Sequence, residues 1–418
     1  MTGLNTRGGA PLRIAVIGLG AVGSQVLWQL SREPGVAVHG FESSYPGHPE
    51  AGAGGESRLY RNFELDDPAY EPVIERASTL WRELESASAR RLRYPTGVLL
   101  TGCRSSPQMQ RALQSAERSE KPSRVLAPED VRAEYPQFRV ADDDIGLWDP
   151  HGGVIRPELT VSVAVELASA HGAVVHDFTR VDAVEEEGAK VRVVTADDAQ
   201  VFDRVVIACG GWTTKLRPGL KEKVVVRRLT SAWFQAEDDA YLEGMVPFMR
   251  TAPTYCYGIP TPGNTTVKLG LGFNDHHPVA DPDTVPRTPE ATEVEKFAWI
   301  VEDVLPGLQR RPVRMSTYIE SYTRSMHDYI SFDEHLPDVL VLTGFSGHGF
   351  KVSPAIGEIG AQLAVNGASD IDVTFLLEAP PVFDIVDPAT GLTTQNGIVA
   401  SRPLQHDSST PAPTTQPF

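Results

Sequence analysis

The chain has 418 residues, 41% hydrophobic and 22% charged, a balance that argues against disorder and leaves ample length for a large core. Its 38 basic against 55 acidic residues give a formal net charge of −17, which argues against binding nucleic acid or an anionic membrane through general electrostatics. Three cysteines without close spacing (Cys103, Cys209, Cys256), no apolar run of bilayer-spanning length and no signal-peptide order in residues 1–11 point to a soluble cytoplasmic protein without metal.

Residues 1–11 are small and polar and read as a flexible leader. Order begins at Arg13–Ile17, a β-branched run expected as a buried strand. Gly18-Leu19-Gly20-Ala21-Val22-Gly23 follows, and apolar residues then recur at Val22, Val26, Leu27 and Leu30, which is helical spacing. The first two glycines permit a tight turn and close approach of backbone to a pyrophosphate. Gly23 permits close helix–strand packing, and the helix N-terminus offers N–H groups to the anion. Val36–Glu42 reads as a second strand. Its last residue stands 19 positions beyond Gly23, where an acid accepts hydrogen bonds from ribose hydroxyls and repels a 2′-phosphate. A dinucleotide site is expected. The motif alone does not separate NAD from FAD, but its place at the start of so long a chain fits a flavoprotein with interleaved domains.

Further along, Tyr70–Ala87 reads as an amphipathic helix with Leu80, Trp81 and Leu84 on one side, and Leu159–His171 as a helix ended by Gly172. Ala173–Val175, Val191–Val194, Arg204–Ala208 and Val339–Thr343 read as strands, and Ser353–Asn366 as a long helix closed by Gly367. The acidic runs Asp142–Asp144 and Glu185–Glu187 read as solvated loops. From Leu229 to about Val313, aromatic strand-like pieces alternate with Pro and Gly turns, which suggests a second, largely β domain. Ser401–Phe418 is rich in Ser, Thr and Pro and reads as a flexible tail. No internal repeat, H-E-x-x-H helix, G-x-S-x-G elbow or Walker loop is present.

Gly344-Phe345-Ser346-Gly347-His348-Gly349-Phe350-Lys351, followed by Ile356-Gly357-Glu358, resembles the C-terminal flavin motif of the monomeric sarcosine oxidase and N-methyltryptophan oxidase group, within the D-amino-acid-oxidase-like FAD superfamily. Gly54-Gly55-Glu56-Ser57-Arg58-Leu59-Tyr60-Arg61 resembles the group's G-D-T-R-x-x-R segment. Thr96–Leu99, Gly152–Val154, Gly210–Trp212 and Val267–Gly270 match further motifs in the family's order, so the resemblance covers roughly residues 12–376.

The resemblance implies an α/β (α+β) fold, with a Rossmann-like FAD-binding domain (12–90, 150–228, 318–376) interleaved with a mainly antiparallel β substrate domain (91–149, 229–317), and 377–418 as a C-terminal extension. It implies cofactor contacts at Gly18, Gly20, Ala21, Val22, Gly23, Glu42, Ser57, Arg58, Val181, Gly210 and Trp212, and at Gly344, Gly347, His348, Gly349, Phe350 and Lys351. It places Arg58 near the flavin ring, gives Arg61 and Lys351 the substrate carboxylate, and gives Lys268 the activation of dioxygen. Arg58 and Arg61 lie three apart, and a helical or turned segment would face both to one side.

Two departures stand out. Where the group carries its covalent flavin cysteine this chain has Tyr318, so FAD is expected to bind non-covalently. In the substrate pocket, Cys256 and Glu320 stand where the group has tyrosines and Gly272 where it has histidine, which implies a larger, differently charged pocket. Arg324 and His327 lie in the same segment as Glu320. The expected activity is FAD-dependent oxidation of an amino acid or related amine to an imine, with O2 reduced to H2O2, by a monomer or dimer. The alternatives are an amino-acid dehydrogenase or cyclic-amine desaturase using another acceptor and, in a different class, a nucleotide-binding sensor without turnover.

Overall fold

The computed structural model describes residues 9–65, 67–252 and 254–377. The expected tail Ser401–Phe418 and nearly all of the leader lie outside the described residues. The first strand, Leu12–Ile17, runs parallel to Val36–Phe41 on one side and to Arg204–Ile207 on the other. Val174–His176 extends one edge, and Val339–Thr343 with antiparallel Tyr329–Phe332 extends the other, making six strands.

Both faces of this sheet are covered, which is why its strands are apolar runs rather than alternating ones. Ile14, Val16, Val206, Leu340 and Leu342 face helices Gly23–Ser31, Glu71–Ser88, Pro157–Ala170 and Gly349–Asn366. Ala15, Ile17, Val205, Ile207, Val339 and Val341 face a three-stranded antiparallel sheet of Val181–Glu187, Lys190–Thr195 and Ala199–Phe202. Gly23 is required here: a Cβ on it would stand 1.8 Å from the Gly18 carbonyl oxygen.

A second, nine-stranded sheet draws on residues from Val98 to Asp149 and from Val224 to Thr323. Its longest strand, Val224–Phe234, pairs antiparallel with Val267–Leu271, His277–Pro278 and Arg314–Thr323. Phe248–Arg250 pairs parallel to Val98–Cys103, and the other pairings in the sheet are antiparallel. Helix Ala291–Val304 packs Phe297, Ile300, Val301 and Val304 against Phe234 and Phe248. Buried Glu293 fastens it, accepting from Arg228 Nη2 and from the Thr230 hydroxyl, each at 2.5 Å. A short sheet orders Arg58–Tyr60, Gly153–Ile155 and Arg93–Tyr94.

Three local expectations are corrected. The last long helix starts at Gly349, not Ser353. Ser353-Pro354 imitates a helix start, but Phe350, Val352 and Ile356 are buried in the same core and carry the helix through the proline. Asp142 and Asp143 are exposed turn residues as expected, but Asp144 begins Asp144–Asp149 and is buried beside Arg250 (3.4 Å), and Glu185–Glu187 end the strand from Val181 rather than forming a loop. Arg58 opens an extended strand, so the spacing to Arg61 is not helical.

Candidate functional site

The glycine turn after the first strand opens onto helix Gly23–Ser31, whose first turn holds no acid and whose N-cap, Val22, supplies no side-chain acceptor. Around Gly20 a Cβ would meet nothing within 4 Å, so backbone there faces open space. Glu42 is buried beside the turn. Its Oε2 accepts from the Leu19 N–H (3.0 Å), and its Oε1 accepts from the Ser43 hydroxyl (3.1 Å) and the Ser44 N–H (3.0 Å). A narrow cleft runs from Leu19 and Gly20 past His48, Ala53 and Gly54 to Glu158. An uncapped helix start, an open backbone face and a buried acid fit a dinucleotide. Of the other expected contacts, Val181 is buried against the sheet, Gly210 has φ +52° with open space where a Cβ would stand, and the Trp212 indole donates to Asp283 at 2.8 Å.

The segment 52–58 is held from several directions. Lys268, 1% exposed, donates from Nζ to the carbonyl oxygens of Gly55 (2.8 Å) and Ser57 (2.9 Å). Glu158 Oε1 accepts from the N–H groups of Gly55 (2.8 Å) and Glu56 (2.9 Å). The Arg58 guanidinium donates to Ser57 O and Gly52 O and stands 5.9 Å from the ring centre of Tyr318. Burial first, then Arg58, pushes the Lys268 ammonium well below its usual pKa.

Between the nine-stranded sheet and the segments 58–67 and 346–348 lies a cavity of about 370 Å³. Ser346, Gly347 and His348 form one wall, and Arg58 and Arg61 line it beside them. Gly344 and Gly347 have φ of +65° and +85°, and even Ser346 is at +49°, so this turn bends as only a glycine-rich segment readily does. Leu229, Met249 and Leu271 make the cavity largely apolar, and Gly272, Tyr257 and Phe273 shape it. On strand Arg314–Thr323, Tyr318, Glu320 and Tyr322 alternate onto one face, and the last two line the cavity.

The Tyr322 hydroxyl lies 2.5 Å from Glu320 Oε2 and 2.9 Å from His276 Nδ1. Burial raises the Glu320 carboxyl and the Tyr322 hydroxyl, and pulls His276 down to about 3. Arg227 braces this corner from behind, donating to His276 O (2.8 Å) with its guanidinium 4.0 Å from the Phe273 ring centre. His348 Nε2 stands 3.0 Å from the fully buried Asp328 carboxylate, and His327 pairs with Asp67 at 2.9 Å.

Not every expected residue reaches the cavity. Cys256 lies in the apolar core, fully buried, and its strand neighbours Tyr255 and Tyr257 line the cavity instead. A one-residue slip in reading a strand exchanges its two faces, so the pocket keeps tyrosines there. Lys351 is not in the cavity wall, and its ammonium pairs with Glu64 at 2.6 Å. Tyr257, Tyr322, His276 and Glu64 were not read as site residues. The i, i+2 relation of Glu320 and Tyr322 is a signal that would have found one of them.

The family model for FAD dependent oxidoreductases matches residues 13–363. A monomeric sarcosine oxidase of Streptomyces avermitilis is 30% identical over 367 residues, which is 85% of this chain and 94% of that protein. An N-methyl-L-tryptophan oxidase of Yersinia pestis is 30% identical over 374 residues, 86% of this chain and 97% of the relative. The solved structure of NikD, described as an unusual amino acid oxidase essential for nikkomycin biosynthesis, aligns with a TM-score of 0.76 at 22% identity. It covers 87% of this chain and 97% of that one, and the likeness is one of fold. The resemblance and the α/β fold with an interleaved β sheet, both read from the motifs, therefore hold.

His276 gives the site a signature in pH. It stays neutral in the fold down to about 3, whereas the unfolded chain takes up the proton near 6.5. Below that point the unfolded state binds more protons, so stability falls as pH falls. Urea unfolding between pH 6.5 and 4 should show a steeper loss in the parent than in His276→Gln; equal slopes would refute the assignment.

Proposed function

The chain belongs to the FAD dependent oxidoreductase family, and on that premise we propose that it oxidises the carbon–nitrogen bond of an amino acid or related secondary or primary amine to an imine, with O2 as acceptor and H2O2 as product. The observation that carries this reading is the apolar cavity with a cation, Arg61, and an acid, Glu320, in its wall beside the Gly344–Gly349 turn. A zwitterion offers a partner to each. Arg61 would take the carboxylate. Glu320, raised by burial, would accept a hydrogen bond or a proton from the amine. Relatives named for sarcosine and N-methyl-L-tryptophan support a substrate that carries both groups.

The residues present fit FAD. Gly20, where a Cβ would meet nothing, would face its pyrophosphate across the turn that Gly18 and Gly23 allow by packing closely, Glu42 would face its ribose, and the segments around Arg58 and Gly344–Gly349 its ring. When bound, FAD supplies the two-electron acceptor for the carbon next to nitrogen. Leu229, Met249 and Leu271 keep water from the reacting carbon, and the Arg61 anchor fixes which carbon is presented. Lys268 is pinned by two carbonyl oxygens, so its Nζ stands at one place, where its protonated form would favour negative charge developing on dioxygen.

Attachment is proposed to be non-covalent. Tyr318 occupies the position of the linking cysteine, and burial pushes the thiols of Cys209 and Cys256 up to about 12, far from the nucleophilic thiolate. The three free thiols suit a reducing compartment, and no helix among the described residues is long and apolar enough to cross a membrane.

Acid precipitation should leave a colourless pellet and a yellow supernatant; a yellow pellet would overturn non-covalent binding. Anaerobic mixing with N-methyl, cyclic and primary amino acids should bleach the flavin absorbance with at least one of them, and admitting air should restore it with peroxide formed. Bleaching without reoxidation by air would assign a dehydrogenase, and no bleaching by any amine would sink the reading. Lys268→Met should leave anaerobic bleaching in place and slow reoxidation by O2 on the order of a hundredfold.

A further inference from the structure

Three side chains of the cavity wall, Glu320, Tyr322 and His276, form a chain of contacts that ends on backbone. His276 Nε2 stands 3.3 Å from the Leu271 carbonyl oxygen, and its Nδ1 stands 2.9 Å from the Tyr322 hydroxyl. That hydroxyl in turn lies 2.5 Å from Glu320 Oε2. A carbonyl oxygen only accepts, so Nε2 carries the hydrogen of the ring. Burial, then Arg227, His277 and Lys296, keep the ring neutral, which leaves Nδ1 as an acceptor. The one proton of Tyr322 therefore goes to Nδ1, and the hydrogen between Tyr322 and Glu320 has to come from the carboxyl. Run the other way, the chain would set a bare Nε2 lone pair against the Leu271 oxygen, two acceptors with no hydrogen between them.

We propose that Glu320 stands in the cavity as a neutral carboxylic acid, its proton held by the chain that Tyr322 and His276 run to the Leu271 carbonyl, and that the cavity thereby selects the unprotonated form of an amine. The selection rests on reading the cavity as the site of an amine that carries an acid. His276 is then a positioning residue, acting through Tyr322. With Oε2 engaged by Tyr322, Glu320 offers Oε1, which accepts an N–H without supplying a negative charge. Of a hydrogen bond and a proton, it takes the first. Burial, the largest influence on this carboxyl, favours the neutral form against the pull of Arg58 and His348. Arg227, opposite Glu320 in the strand pairing, donates to the His276 carbonyl oxygen. An ammonium held at Glu320 would gain no counter-charge from it and would stand in the field of Arg58.

The test uses the FAD-bound protein without substrate. Infrared difference spectra of the parent against Glu320→Gln, with carbon-13 glutamate to separate Glu from Asp, should show the C=O stretch of a protonated carboxyl at neutral pH. A parent without that band overturns the proposal. His276→Leu removes the acceptor and lets Tyr322 donate to Glu320 instead. The pH midpoint of the band should then fall by at least about one unit, the scale of one hydrogen bond to a charged group. An unmoved midpoint would leave burial alone holding the proton and overturn the chain. Selection is read from two isosteric carboxylates, 3,3-dimethylbutanoate and betaine, of which only betaine has a fixed positive charge in place of the amine. The neutral isostere should perturb the flavin absorbance at a concentration lower on the order of tenfold. Equal or tighter binding of betaine overturns the selection. Binding of neither would sink the carboxylate anchor at Arg61 and the selection with it, while the infrared band separately decides the state of Glu320.

Discussion

The buried ammonium of Lys268 is the interaction on which the site depends. It sits on strand Val267–Leu271 of the nine-stranded sheet and reaches the carbonyl oxygens of Gly55 and Ser57, more than two hundred residues earlier. On the other side of the same loop, Glu158 of helix Pro157–Ala170 accepts from the N–H groups of Gly55 and Glu56. A polar loop between two apolar cores would be costly with its backbone unpaired. Two charged side chains, one from each architecture, remove that cost. The loop can therefore hold Glu56 at φ +67° and still present Arg58 to the cavity.

Three of the six non-glycine residues at positive φ among the described residues lie here. Glu56, Met326 and Ser346 are non-glycine residues at positive φ, and the last two line the cavity. Such residues persist only where the surroundings over-determine them. Here those surroundings are named: Lys268 and Glu158 hold the first, and Ser321 accepts the N–H of Ser346 at 3.1 Å. The strand that carries Ser321 also carries Tyr318, Glu320 and Tyr322 on its other face, so one strand supports the turn and lines the cavity.

What could be read from the sequence follows from how local each constraint is. The Gly18–Gly23 turn was legible because Gly23 answers to a contact a few residues away, the collision of its Cβ with Gly18, although Gly18 itself is closed in by Ala208 and Cys209 of a distant strand end. The first sheet was legible as apolar runs because helices and a small sheet cover both its faces. The start of the last helix was not, since burial of Phe350 and Val352 outweighs the punctuation of Ser353-Pro354. Cys256 was placed in the pocket by position against the family's motifs, and a displacement of one residue in such a count exchanges the two faces of a strand, whose register is set by its partners. The pairing of Lys351 with Glu64 spans 287 residues, and no local pattern encodes it.

The charge of −17 says little about the interior, where among the described residues six basic and six acidic side chains are buried and the cations differ by the kind of partner they have. Arg228 is matched by Glu293 and Arg250 by Asp144, so their fields are largely cancelled at short range. Lys268 and Arg58 instead donate to backbone carbonyl oxygens, which accept their hydrogen bonds without removing their charge. A carbonyl carries only a partial charge, so it offsets these two charges less than a carboxylate would. Arg61 is intermediate, 3.7 Å from a carboxylate whose closer partner is Lys351. Within an acidic protein the buried cations thus divide between those matched by carboxylates, Arg61 and Lys351 among them, and those held by carbonyls.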